Sequence, residues 1–328
     1  MEQTKKKSPV KKILLRLLRV ILVAAPLVWV YTRTDGAALK EAIAAVHIQS
    51  LFYIAALYFL GIMTQGAKWW ILVRRFIPEL KLSKAVFVHM ESTFYAMALP
   101  TAAAQDVVKS VILSRNHNPQ IVWAASWLGK LMGCFVLIMF SVFGVIYLQS
   151  DLLPAGFGES LFTTLALMTV LIAASFSKKV TRLFKPLKPA AASLLGPKIV
   201  TFAEKMRNGI YAFKHERITL LQTFLFSTVS MLLIMFTISF TIYTVTGQFY
   251  FIECLAFVPL IEIMALSLPL TPGGLGIREA LMAALFVHLG LSAEQTATYV
   301  TISLLMSMIR LTGGIMPLYR LAVRRKIA

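Results

Sequence analysis

Hydrophobic residues occur in long runs along this chain, separated by short polar or basic segments. About 20 apolar residues are needed to cross the hydrocarbon core of a bilayer, and six runs approach or exceed that length. They cover residues 13–31, 51–73, 121–148, 161–176, 220–245 and 297–318. The pattern predicts an all-α polytopic membrane protein with about six full spans.

Two further pairs of apolar stretches are too short to cross and are interrupted by Pro or Gly. Residues 85–99 stop at Pro100 and are followed by 107–113, while 251–270 break at a Pro-Gly-Gly-Leu-Gly sequence before 280–289. Backbone groups cannot face lipid unpaired, so such breaks imply a cavity or a tightly packed turn. We expect two re-entrant broken-helix hairpins, at 85–115 and 251–290.

The order of these stretches repeats. Each half contains a span, an amphipathic loop, a span, a broken hairpin and a span, which predicts half-repeats at 13–158 and 159–320. Because each half crosses an odd number of times, the two halves would lie in opposite orientations. Inverted repeats with interrupted helices are an architecture of many membrane transporters, whose binding sites lie at the breaks.

Charge is unevenly distributed along the chain. There are 33 Lys and Arg against 14 Asp and Glu, and most of the basic residues fall on one side of the predicted topology. They occupy the segments 1–19, 74–84, 109–115, 177–217 and 320–328, which hold 27 of the 33. These segments include the basic tails at 1–12 and 321–328 and the basic loop at 177–217. We expect a protein of the cell inner membrane, and the positive-inside rule predicts that both of its termini lie in the cytoplasm.

The basic loop carries apolar residues at helical spacing, among them Met206, Ile210 and Phe213. This spacing suggests an amphipathic helix on the anionic surface of the membrane. Nucleic-acid binding is the weaker interpretation, since nothing else in the chain supports it, and no nucleic-acid partner is expected. With only 14% charged residues and 58% hydrophobic ones, the composition also excludes a disordered chain and argues against a cytosolic enzyme.

Ionisable residues within the apolar stretches are the candidates for substrate binding, because they are costly in a membrane and usually face the bundle interior. Glycines at the second break would allow a ligand close to the backbone, and the helix beginning near Ile277 would point free N–H groups at an anion. The candidate headgroup-binding residues are Lys68, Asp106, Lys109, Lys130, Glu262, Gly273, Gly274, Gly276, Arg278, Glu279 and Arg310.

Each candidate also has a simpler interpretation. The charged residues could pair with one another instead of with a ligand. Lys68 lies near the cytoplasmic end of its span and could extend to the surface. Asp106 and Glu279 could stabilise the first turn of a helix.

Signals for enzyme chemistry are scarce. The five His form no metal-ligand pair, and there is no nucleotide-binding loop or nucleophile elbow. Cys134 and Cys254 fall inside apolar runs and have no disulfide or zinc spacing. We therefore expect no cofactor, no metal and no catalytic residue.

The sequence from Leu268 to Ala280, Leu-Pro-Leu-Thr-Pro-Gly-Gly-Leu-Gly-Ile-Arg-Glu-Ala, resembles the transmembrane, flippase-like region of lysylphosphatidylglycerol synthases in its stand-alone form. Three other stretches agree with this family: Lys68-Trp69, Pro100 to Arg115, and Arg310 with Gly313-Gly314. The chain departs from the family where Ala-Ala replaces Gly-Gly at the first break. It also has Gly129-Lys130 where an acidic-basic pair is usual.

The resemblance implies movement of a lipid between membrane leaflets and not its synthesis, as the chain ends at Ala328 without room for an aminoacyl transferase domain. The implied partner is an anionic phospholipid, an aminoacyl lipid, a hopanoid or a polyprenyl-linked lipid, with a homodimer or a separate synthase as protein partner. Two alternatives remain at this stage. One is a membrane-embedded transferase that uses Asp106 or Glu279, and the other is an accessory scaffold for a separate synthase.

Overall fold

The computed structural model describes residues 28, 30–99, 104–148, 156–177, 193, 196–267 and 276–318. The described residues do not include most of the predicted first span, the two predicted tails or the two predicted breaks. Gly273 and Gly274 belong to the second of these breaks. The secondary structure within the described residues is helical. The helices are α1 Gly36–Ala44, α2 Ile48–Arg74, α3 Leu82–Ala96, α4 Ala104–Ser114, α5 Pro119–Leu148, α6 Phe157–Ser175, α7 Pro197–Ala212, α8 Arg217–Thr246, α9 Phe251–Ser267, α10 Ile277–His288 and α11 Ala293–Ser307.

Five helices in the described part of the chain are long and apolar enough to cross a membrane. They are α2, α5, α6, α8 and the helix that begins with α11 and continues through a 3₁₀ segment, Met308–Gly314, to Leu318. Large apolar side chains such as Phe52 and Tyr147 are more than 70% exposed on these helices, as expected for a surface that faces lipid. The predicted all-α polytopic membrane protein is confirmed, and these five helices correspond to five of its six predicted spans.

The helices of the two predicted hairpins are short. They contain 15 residues in α3, 11 in α4, 17 in α9 and 12 in α10. At 1.5 Å of rise per residue, none of them reaches the roughly 30 Å thickness of the hydrocarbon core. Within each hairpin the two arms pack against each other, α3 on α4 and α9 on α10.

Helices α2 and α8, which occupy equivalent positions in the two predicted halves, pack side by side and run in opposite directions. At one end, Arg75 Nε just after α2 donates to Glu216 Oε2 just before α8, at 2.5 Å. Further along, Leu57 of α2 lies near Phe240 of α8. Equivalent helices of an inverted repeat run in opposite directions, so this antiparallel arrangement agrees with the predicted repeat. The exact bounds of the half-repeats, 13–158 and 159–320, stay a prediction.

The first arm of each hairpin packs against the last long helix of the other half. A Cβ atom added at Gly144 of α5 would overlap the backbone of Ala256 in α9. In the same way, a Cβ atom at Gly313 would overlap the carbonyl group of Met90 in α3. Small residues allow helix backbones to approach closely in membranes, where van der Waals packing holds helices together. These two glycine contacts interlock the halves.

The predicted amphipathic helix of the basic loop is present as α7, but its apolar side packs against the protein. Ile210 and the following Phe213 are buried among residues of α2 and α5. Gly209 lies so close to α5 that a Cβ atom there would collide with Gln120 and Ala124. The expectation that this apolar side rests on the membrane surface is therefore wrong for the described part of α7, because the bundle covers it.

We predict that Gly144→Ala and Gly313→Ala each lower the free energy of unfolding by about 1–3 kcal/mol, because the added methyl group meets backbone atoms that cannot move aside. Gly61→Ala in α2 is the matched control, since a Cβ atom there has no neighbour within 4 Å. The control should be neutral or stabilising by up to about 1 kcal/mol, as Ala favours helix more than Gly does.

The measurement is thermal unfolding of the purified protein in detergent, followed by tryptophan fluorescence. Equal midpoints for all three variants and the wild type would show that the two glycine contacts are not tight.

Candidate functional site

A cavity of about 300 Å³ lies among the helices of the two halves. Its lining comes from α2, α3, α4 and α5 of the first half and from α8, α9, α10, α11 and the 3₁₀ segment of the second. None of the described side chains of α1, α6 and α7 lines it. The two short hairpins therefore meet at this cavity, and its volume lies at the lower end of the range for small-molecule sites.

Three lysines surround one aspartate on the first-half side of the cavity, and we call this group the lysine cluster (Lys68, Asp106, Lys109 and Lys130). Lys109 Nζ lies 2.5 Å from Asp106 Oδ1, and Lys130 Nζ lies 3.6 Å from Asp106 Oδ2. Lys68 is 93% buried within α2 and also lines the cavity. Because three positive charges face a single carboxylate, the cluster has an excess of positive charge.

A buried network of hydrogen bonds fixes the three helices that carry these lysines. Trp69 Nε1 of α2 donates to Ser126 Oγ of α5 at 2.9 Å, and the Ser110 hydroxyl of α4 donates to the same oxygen at 2.7 Å. The Lys109 ammonium group also lies 5.4 Å from the centre of the Trp69 ring, within the range of a cation–π contact. The network holds α2, α4 and α5 in register, so the lysines keep their positions.

Two glycines of α5 lie close to Lys130. Gly129 and Gly133 are on either side of it along the cavity wall. A Cβ atom at Gly133 would be 3.6 Å from Lys68 Nζ, which is an ordinary van der Waals contact and places Lys68 close to this wall. The Gly129-Lys130 sequence, which departs from the family pattern, therefore carries a basic residue into the cavity without an acidic neighbour in sequence.

The second-half side of the cavity contains an arginine cluster (Glu262, Arg278 and Arg310, with Tyr58 from α2). The Arg278 guanidinium lies 2.7 Å from Glu262 Oε1, which joins the two arms of the second hairpin. Arg310 Nε donates to the Tyr58 hydroxyl at 2.8 Å, and no carboxylate of the described residues forms an ion pair with Arg310. Arg310 therefore keeps its full charge directed at the cavity.

The 3₁₀ segment explains how Arg310 reaches this position. It tightens the backbone for seven residues after α11 and ends at Gly313 and Gly314, which pack against α3. A 3₁₀ stretch inside a long helix often marks a functional hinge. Here the segment carries Arg310 into the cavity, while its glycines pack against α3 of the first hairpin.

The structure brings together seven of the eleven residues that the sequence predicted for the site. Those lining the cavity are Lys68, Asp106, Lys109, Lys130, Glu262, Arg278 and Arg310. The idea that Lys68 extends to the surface is wrong, since it points inward. Gly273 and Gly274 lie outside the described residues.

Gly276 and Glu279 do not line the cavity. The Gly276 N–H group donates to Glu279 Oε2 at 2.7 Å, and the Glu279 side chain is buried. Glu279 therefore occupies the start of α10, where the sequence placed the phosphate of a ligand. This is the first-turn role that was its simpler interpretation.

Several polar residues of the cavity do not stand out in the sequence. The Gln105 amide donates to His89 Nε2 at 2.9 Å, and both side chains line the wall. Tyr58 was also missed, because its partner Arg310 is 252 positions away. Gln105 is adjacent to Asp106 on the same short helix, and that proximity was the one signal that could have identified it.

The charges of the cavity do not balance. Among the residues that the structure describes, five basic side chains face it, against two carboxylates that are both already paired with basic groups. Among the described residues there is no group of three His, Cys, Asp or Glu side chains that could hold a metal ion. The arrangement is suited to attracting and holding an anion through charge-assisted hydrogen bonds.

Comparison with known proteins identifies the family. No curated protein sequence matches the chain. Residues 16–312, nearly the whole length, match the family described as the lysylphosphatidylglycerol synthase TM region. That range includes both hairpins and every charged residue of the cavity. The chain belongs to the lysylphosphatidylglycerol synthase transmembrane-region family.

Proposed function

We propose that this protein moves a lipid between the two leaflets of the membrane and holds the headgroup in the cavity during transfer. The observation that carries the proposal is the cavity itself, which places five basic side chains among membrane-spanning helices. Charged residues at this depth are expensive and usually mark a substrate pathway. A lipid phosphate would give those charges a partner. The family is named for the transmembrane region of lysylphosphatidylglycerol synthases, which supports a membrane lipid as the substrate.

The acyl chains need a route out of the cavity into the bilayer. An apolar groove lies between α2 and α8, lined by Tyr53, Ala56, Leu57, Leu60, Phe236 and Phe240. Leu57 lines both this groove and the charged cavity, so the two spaces are adjacent. We propose that the headgroup lies in the cavity while an acyl chain occupies the groove. This arrangement keeps each part of the lipid in a medium of matching polarity.

Movement would involve the two halves changing position around the cavity. Both halves contribute walls, and small shifts of one half against the other could open the cavity to each side of the membrane in turn. The sequence has no ATP-binding motif. We therefore propose that transfer runs down the lipid gradient or is coupled to an ion.

We place the protein in the inner membrane with both termini in the cytoplasm. The end of α2 and the start of α8 lie together, joined by Arg75 and Glu216. The neighbouring Arg74, Lys214 and Arg217 make this end of the bundle basic. Basic residues are concentrated on cytoplasmic loops, which supports this orientation.

A membrane-embedded transferase receives less support. Both oxygens of Asp106 lie near lysine side chains, and Glu279 accepts a hydrogen bond from the backbone at the start of α10. Neither carboxylate is positioned as an available acid or base. We propose no catalytic step.

We predict that Lys130→Gln and Arg310→Gln each slow lipid transfer by about tenfold or more, because each removes a charge-assisted hydrogen bond to the headgroup. The measurement is the loss of a fluorescent phospholipid from the inner leaflet of proteoliposomes. It is detected by adding a chemical quencher that acts on the outer leaflet. Lys84→Gln and Arg217→Gln are matched controls at exposed positions and should transfer lipid at the wild-type rate.

Transfer no faster than in protein-free vesicles, tested with phosphatidylglycerol, its lysyl form, a polyprenyl phosphate and a polyprenyl diphosphate, would contradict the proposed function. Full activity in both cavity variants would show that the cavity does not hold the headgroup.

We also predict that Leu57→Trp slows transfer strongly, since an indole ring would fill the passage between the cavity and the groove. Leu167→Trp on α6 adds the same bulk to a side that faces away from the cavity and should have no effect. The same vesicle assay measures both variants. Equal rates for Leu57→Trp and wild type would rule out the passage at Leu57.

A further inference from the structure

We propose that the headgroup carried by this protein has two anionic phosphate groups and no free amine. The inference rests on the proposed function and names the substrate class of the same cavity. It excludes aminoacylated phospholipids, whose headgroups carry an added ammonium group. It follows from how the acidic and basic side chains of the cavity are divided.

The basic residues form two separate groups. The lysine cluster belongs to α2, α4 and α5 of the first half, and the arginine cluster is carried mainly by α9, α10 and the 3₁₀ segment of the second. Each group contains one carboxylate and more than one basic side chain. The positive charge that remains is therefore divided between two places in one cavity, and a headgroup with a phosphate for each place matches it.

Both carboxylates of the described lining already pair with basic side chains. Asp106 directs Oδ1 to Lys109 and Oδ2 to Lys130. Glu262 is held by Arg278 at 2.7 Å. The buried Glu91 and Glu279 do not line the cavity. An ammonium group that entered would meet five basic side chains and, among the described residues, only carboxylates that already pair with them, which is an effective way to reject a ligand.

Arg310 and Lys68 are the residues best placed to contact phosphate. Within the described part of the chain Arg310 bonds a tyrosine hydroxyl and no carboxylate, so its remaining N–H groups can point to a ligand. Lys68 lies within the lysine cluster and forms no ion pair with a described carboxylate within 4 Å. They come from opposite halves, so a ligand that binds both would bridge the two groups.

The test is competition for binding to the full-length protein in detergent, with a fluorescent polyprenyl diphosphate as the labelled probe. Unlabelled polyprenyl diphosphate should compete well. Phosphatidylglycerol, with one phosphate, should bind about tenfold more weakly, and lysylphosphatidylglycerol about a hundredfold more weakly. Lysylphosphatidylglycerol binding within about threefold of the diphosphate lipid would overturn the inference.

Inorganic diphosphate separates a lipid site from a site for free anions, because it offers the same two phosphates without an acyl chain. We expect it to compete only at concentrations at least about a hundredfold higher than the lipid, since the apolar contacts are missing. Equal affinity for inorganic diphosphate and the lipid would assign the cavity to a soluble anion.

A charge-reversal variant gives a second measurement. Arg310→Glu places a free carboxylate in the arginine cluster. It should therefore weaken binding of the diphosphate lipid by about tenfold or more and strengthen binding of lysylphosphatidylglycerol. Arg310→Lys should keep the wild-type order of affinities, and Arg217→Glu is the exposed control. If Arg310→Glu has the wild-type unfolding midpoint and keeps the wild-type order of lipid affinities, the inference is overturned.

The inference and the proposed function can fail separately. If vesicles transfer phosphatidylglycerol and its lysyl form equally well, the protein is a carrier and the proposed headgroup class is wrong. If binding follows the predicted order while vesicles show no transfer, the headgroup class stands and the carrier function is wrong.

Discussion

The cost of placing charge at membrane depth is the constraint on which this structure depends. Five basic side chains face one cavity between helices that cross or enter the membrane. Two acidic residues, Asp106 and Glu262, offset part of that charge by pairing with neighbours. The remainder can be tolerated only where water or an anionic ligand is present. The short hairpin helices and the long helices around them form such a space, and the basic groups of both line it.

The two halves form this cavity together. Helices α2 and α8 lie antiparallel, and each hairpin packs against the last long helix of the opposite half through a glycine, Gly144 or Gly313. Neither half alone would surround the cavity, because each contributes only part of its wall. The same contacts bring the lysine cluster and the arginine cluster to one space, so the charge of the cavity depends on how the two predicted halves pack.

Much of the fold and part of the site can be predicted from sequence, for an identifiable physical reason. Charged residues are rare in apolar segments, so Lys130, Arg278 and Arg310 are conspicuous in the sequence alone. The direction of Lys68 is not predictable, because a lysine near a helix end can extend either outward or inward. Tyr58 and Gln105 escape prediction because their roles depend on contacts between distant segments. A first-turn carboxylate such as that of Glu279 can bind its own backbone or a ligand, so sequence does not decide its role.

Native mass spectrometry of the full-length protein, released gently from its membrane, tests the central claim most directly. The account predicts a bound lipid with an anionic phosphate headgroup on the wild-type protein. It also predicts that this lipid is largely lost from a double variant with Lys130→Gln and Arg310→Gln. Bare polypeptide as the wild-type species, or the same lipid on both proteins, would contradict the claim that the basic cavity holds a lipid headgroup.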